Sequence, residues 1–138
     1  MLDHMTFRVA DMARSKAFYG AALAPLGYTL QYEKDFDGTL VVGFGQAGDA
    51  TDGGAMIDTW LVCGLDAGAT AEPSTCCHLA WRAPSRPAVD AFHAAALAAG
   101  GRDNGAPGLR PQYHANYLGA FVIDPDGNNV EAVCHTGD

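Results

Sequence analysis

No apolar run in this sequence approaches the roughly 20 residues that a membrane-spanning helix needs, and no basic stretch leads into an apolar one near its start. Neither a membrane span nor a signal peptide is therefore expected, and the expected location is the cytoplasm. Basic residues are scarce: Lys and Arg number 8 against 16 Asp and Glu, a formal charge of −8. No cluster of Lys and Arg interrupts that acidic balance, which argues against a nucleic-acid-binding protein. Charged residues make up only 17% and hydrophobic ones 49% of the 138, a composition that buries a core rather than staying disordered. The four cysteines (Cys63, Cys76, Cys77 and Cys134) include no C-x-x-C pair. They read as reduced, buried thiols rather than as a disulfide or zinc framework. Adjacent Cys76 and Cys77 would point to opposite faces of a strand, a poor arrangement for gripping one metal.

What the chain does contain is a repeat at an offset of 74 residues. Residues 4–27 laid on 78–101 give 24 paired positions without a gap. Nine are identical, among them His4/His78, Arg8/Arg82, Phe18/Phe92 and Gly27/Gly101. The same offset pairs Asp52-Gly53 with Asp126-Gly127. Shared alanines inflate the count, but His, Arg, Phe and Gly at matched places indicate duplication of one supersecondary unit.

Each copy reads as βαβββ. Residues 2–9 alternate as a strand with Met5, Phe7 and Val9 on one face and His4, Thr6 and Arg8 on the other. Asp11 caps a helix over 12–26, whose apolar stripe is Phe18, Ala22 and Leu26 with Ala21 and Pro25 alongside, and Gly27 stops it. Strands at 28–33, 39–44 and 55–62 follow, with turns at Asp35-Phe-Asp-Gly38 and in the Gly/Asp/Ala stretch 45–54. In the second copy, 76–83 is a strand with Leu79 and Trp81 opposite Cys76, His78 and Arg82. Ser85 caps a helix that starts near Arg86-Pro87 and runs to about Ala99. The Gly- and Pro-rich segment 102–111 has room for a short strand, and 116–123 with 128–135 forms a hairpin around Asp124-Pro-Asp-Gly127. The reading is therefore an α+β fold of two tandem βαβββ modules, 1–63 and 75–138, joined by a linker at 64–74. Their mixed sheets are expected to curve around a shared metal-binding cleft.

The metal expectation rests on three strands. In the last one Val130, Ala132 and Cys134 form the helix-facing set, so Glu131 joins the opposite face, as His4 and His78 do in theirs. Read singly, each is an ordinary polar surface residue. Together, two imidazoles and a carboxylate make an open site suited to one divalent ion (Fe, Mn, Ni or Zn), with positions left for water and substrate. The place related to Glu131 by the repeat is Ile57, which does not ligate. Ahead of the paired strand, Tyr113, His114 and Tyr117 offer proton-transfer and hydrogen-bonding groups, or else cover a sheet end. Arg8 and Arg82 share the cleft faces, either holding an anionic substrate or pairing with Asp or Glu. Trp60 reads as a packing residue.

The paired βαβββ plan, a His in each first strand and the ending DPDGNNVEAV together resemble the vicinal oxygen chelate superfamily. That group includes glyoxalase I, extradiol dioxygenases, fosfomycin-resistance thiol transferases and bleomycin-binding proteins. The resemblance covers essentially the whole chain and implies His4, His78 and Glu131 as metal ligands. Ile57 departs from the four-ligand pattern of glyoxalase I, which favours the three-ligand members. The implied function is a metal-dependent lyase, isomerase or dioxygenase acting on a small molecule that chelates the metal through neighbouring oxygens. The alternatives are a non-catalytic drug-sequestering protein and a fosfomycin-type thiol transferase, though no Lys/Arg cluster suits the latter. The resemblance also implies a homodimer, with the modules closing a cleft within one chain or between two.

Overall fold

The computed structural model describes residues 2–48, 56–64 and 72–137. Asp52-Gly53, most of the 45–54 stretch and most of the linker lie outside them. The chain runs β1 (Met5–Arg8), α1 (Met12–Leu23), a 3-10 turn (Ala24–Leu26), β2 (Tyr28–Phe36), β3 (Thr39–Gln46) and β4 (Met56–Cys63). It continues through β5 (His78–Arg82), α2 (Arg86–Ala98), β6 (Arg102–Leu109), β7 (Leu118–Ile123) and β8 (Asn129–Cys134). The first sheet is ordered β1-β4-β3-β2 and the second β5-β8-β7-β6, so the same topology is built twice. In each, the first strand pairs parallel to the last, and the other pairings are antiparallel.

Local chemistry sets the element ends. Asp11 accepts from the Arg14 backbone N–H at 3.0 Å, and Ser85 does the same for Ala88 at 3.3 Å, so each helix starts on a side-chain cap. The first helix tightens into the 3-10 turn and stops at Gly27, whose φ of 88° is left-handed. Asp37 and Gly38 both take positive φ between paired Phe36 and Thr39, which makes a two-residue hairpin turn matched to strand twist. The segment 102–111 does form a strand, β6, but its register slips on either side of Gly105.

One continuous core joins both modules. Phe7 and Val9 of the first strand and segment after it, and Trp81 of β5, turn towards the helices, while α1 and α2 also pack on each other. Phe18 and Phe92, equivalent in the repeat, are both fully buried. Across the modules, Trp81 Nε1 donates to Thr59 Oγ1 at 3.0 Å and the Tyr19 ring stands 6.2 Å from Trp81. Among the described residues the two sheets are not closed into a barrel and share no strand pairing.

The DPDG turn does more than reverse the chain. Buried Asp124 accepts from the Tyr19 hydroxyl at 2.6 Å, from the Asp126 and Asn128 backbone N–H groups at 2.9 and 2.8 Å, and from Asn128 Nδ2 at 2.9 Å. Asp126 accepts from Arg14 at 2.8 Å and from the Ala10 backbone at 3.2 Å. The last hairpin of the second module is thereby tied to the start of the first helix. Burial first, then the Asp124 carboxylate, pushes the Tyr19 hydroxyl well above its ordinary pKa. The folded chain thus holds a proton that an unfolded chain releases near pH 10. Stability is unaffected below that pH and falls as pH rises beyond it. Tyr19→Phe is expected to flatten this alkaline loss, while costing about 1–3 kcal/mol at neutral pH through the lost hydrogen bond. Thermal midpoints of both proteins against pH check it.

The thiols differ from expectation. Cys134 is buried and Cys63 partly so, but Cys76 and Cys77 are exposed. Cys76 precedes β5 with a left-handed φ of 59°, so the alternation of a strand does not govern where the two sulfurs point. Among the described residues, no helix is long and apolar enough to cross a membrane.

Candidate metal-binding face

Register determines which side chains meet on the second sheet. Glu131 lies opposite Ala80 in the parallel pairing and opposite Phe121 in the antiparallel one. It therefore shares a face with His78, two residues along from Ala80. The structure brings the pair together, with His78 Nε2 3.0 Å from Glu131 Oε2. The other ring nitrogen, Nδ1, stands 2.6 Å from Asn129 Nδ2, so the imidazole is held at both ends. Asn129 in turn accepts from Asn104 Nδ2 at 3.1 Å.

Glu131 is 1% exposed despite facing away from the helices. It is covered from its own face: the Tyr117 hydroxyl donates to Oε1 at 2.6 Å. Gly119 leaves the space, since a Cβ there would stand 2.8 Å from Oε1 and 3.2 Å from the Tyr117 ring. Burial, and then the bond to Glu131, holds the Tyr117 hydroxyl far above its usual pKa. At neutral pH it is a hydrogen-bond donor, not a base.

A second cluster adjoins the first. His114 Nε2 lies 2.8 Å from His135 Nδ1, and the rings stack with centroids 5.1 Å apart. Tyr117 packs edge-on to both, and exposed Tyr113 packs against Tyr117 at 5.0 Å. Tyr113, His114 and Tyr117 thus form one group beside Glu131.

His4 is placed elsewhere. Its ring bonds Asp3 at 2.7 Å, just ahead of β1 and largely in solvent. Among the described residues no three His, Cys, Asp or Glu side chains lie close enough to hold one ion. Two oriented donors, His78 and Glu131, fit a first-row ion by chemistry and by their convergence. They fall one short of the three protein ligands that catalytic sites commonly use. Ile57 does sit on the open face of the first sheet, against the position a Gly43 Cβ would occupy and beside Trp60.

Residues 1–132 match the protein family described as the Glyoxalase/Bleomycin resistance protein/Dioxygenase superfamily. The chain belongs to that family. A glyoxalase/bleomycin resistance protein from Albidiferax ferrireducens T118 is 27% identical over 96% of this chain and 97% of its own, with a TM-score of 0.69. The E144Q mutant of glyoxalase I from Zea mays is 26% identical at a TM-score of 0.70. That alignment covers 96% of this chain but only 46% of the maize one, so the chain spans about half the length of that enzyme. A glyoxalase-related enzyme from Fulvimarina pelagi shares the fold at 19% identity and a TM-score of 0.61. No curated protein matches the chain.

Of the arginines singled out in the sequence, Arg8 is half-buried, and its backbone bonds Ser74 through both N–H and C=O. Arg82 lines a groove of about 490 Å³ between the modules with Asp58, Gln46 and Tyr28. Asn129, Phe121, His135 and Arg110 were not anticipated. Alternation alone could have found Asn129, two residues before Glu131 on the same strand.

Proposed function

We propose that this glyoxalase-family chain is a metal-dependent enzyme acting on a small molecule that offers two neighbouring oxygens to a divalent ion. The observation carrying this reading is the convergence of His78 Nε2 and Glu131 Oε2 at 3.0 Å on an open sheet face, with Tyr117 fixing the carboxylate from behind. His4 is the third ligand. Since it stands apart from the pair within one chain, a second copy supplies it, and the working unit is a homodimer with two equivalent sites.

His78, Glu131 and the partner's His4 would hold the ion, which would supply Lewis-acid stabilisation of the two substrate oxygens. The chain's own groups do the rest. Tyr117 spends its one hydroxyl proton on Glu131 Oε1 and so keeps that carboxylate oriented. His114, whose ring stacks on His135 beside Tyr117, is the proton carrier. Tyr113 forms the outer wall beside Tyr117.

Elemental analysis of the untagged protein, with its mass in solution, tests the proposal. About one divalent ion per chain in a dimer is expected. A chain that takes up none of Fe, Mn, Ni or Zn on reconstitution overturns it and leaves a metal-free binding module.

A further inference from the structure

The open face of the second sheet carries a cation that neither alternation nor the repeat points to. Arg110 follows β6, and its side chain folds back across that strand. Nη2 donates to the Ala106 carbonyl at 2.8 Å and Nη1 to the Leu109 carbonyl at 3.3 Å. Two glycines make the bed: a Cβ on Gly108 would stand 2.8 Å from Nη1, and one on Gly105 would stand 3.6 Å from Nη2. The guanidinium carbon lies 5.5 Å from the centre of the Phe121 ring. That ring is directly opposite Glu131 in the β7–β8 pairing, and its other neighbour is the His78 imidazole, 6.2 Å away and tilted by 31°. Arg110 and the His78–Glu131 pair thus occupy the same face, separated by one aromatic ring.

Its bonds there go to main-chain carbonyls, and no carboxylate pairs with it among the described residues. In a chain of formal charge −8, an arginine pinned in place without an acid keeps guanidinium donors that the two carbonyls leave unused. Such a fork, fixed in orientation by backbone and ring, loses little freedom when it grips a planar anion.

We infer that Arg110 is a substrate-binding residue that takes a carboxylate carried about one ring's width from the two chelating oxygens. The inference rests on the proposed metal face and adds a substrate class to it: an acidic molecule, not a neutral or cationic one.

Two size-matched probes, 3,4-dihydroxybenzoate and 4-methylcatechol, share the neighbouring oxygens and differ in the carboxylate. On metal-loaded protein the acid should bind about ten-fold more tightly than the neutral diol, the scale of one charge-assisted contact. In Arg110→Met, which keeps the aliphatic stem, the two should bind alike, with binding of 4-methylcatechol unchanged. Equal binding to the parent protein, or a preference surviving in Arg110→Met, overturns the assignment. A second arm needs no metal: the Arg110 Nε–H resonance of the metal-free protein should shift saturably with 3,4-dihydroxybenzoate and not with 4-methylcatechol. An Arg110 signal indifferent to the acid also overturns it. Failure of the chain to take up metal would sink the proposed function alone, and the metal-free titration would still decide Arg110.

Discussion

Replacing Glu131 with glutamine is expected to remove stoichiometric binding of a divalent ion without unfolding the chain. The carboxylate is buried with two partners, His78 Nε2 and the Tyr117 hydroxyl. Glutamine keeps its shape and still accepts from Tyr117 through the amide oxygen. What it loses is the charge and a second strong acceptor on the side facing His78. The thermal midpoint of the metal-free variant should match or exceed that of the parent, because an amide costs less to bury than a carboxylate. Metal affinity should fall by more than the roughly 10- to 100-fold that loss of an outer hydrogen bond to a ligand costs. Tyr117→Phe supplies that lesser loss for comparison. Isothermal titration with Ni or Zn on the three proteins gives the ordering. A Glu131→Gln chain that retains parental affinity would rule Glu131 out as a ligand.

The largest loss of stability is expected not at the metal face but at Asp124. Its carboxylate satisfies four buried or half-buried donors at 2.6–2.9 Å, one of them the hydroxyl of Tyr19 in the other module. Asp124→Ala leaves those donors without an acceptor in a place that water reaches poorly. Each stranded group costs about 1–3 kcal/mol, and partial relaxation brings the total to about 3–5 kcal/mol. For a chain of this size that is about a 10–20 °C fall in thermal midpoint. Asp124→Asn, which keeps one acceptor oxygen, should fall between. Calorimetry on both variants checks the order, and a loss under about 1 kcal/mol would show that the turn does not tie the modules together.

Much of this architecture was legible because short-range chemistry decides it. Caps at Asp11 and Ser85, the stop at Gly27 and the helix-facing alternation of β1, β5 and β8 follow from neighbours in the chain. The convergence of His78 and Glu131 follows from the same alternation, once β5 and β8 are paired. Three features did not follow. Alternation tells which face His4 occupies but not how two sheets approach, and the shared core turns their helix sides together. Arg110 lies beyond a strand whose register slips around Gly105, so no period of two predicts where it points. The exposure of Cys76 depends on a left-handed residue that composition does not announce.

The shared core also makes each module dependent on the other. Each module leaves one flank of its helix bare, and the other module's helix covers it, with Phe18 and Phe92 buried at matched points of the repeat. Either βαβββ half on its own would present that apolar stripe to water, a surface that invites self-association. The halves are thus mutual chaperones of one another's helices, while their open faces differ, Ile57 standing in one where Glu131 stands in the other.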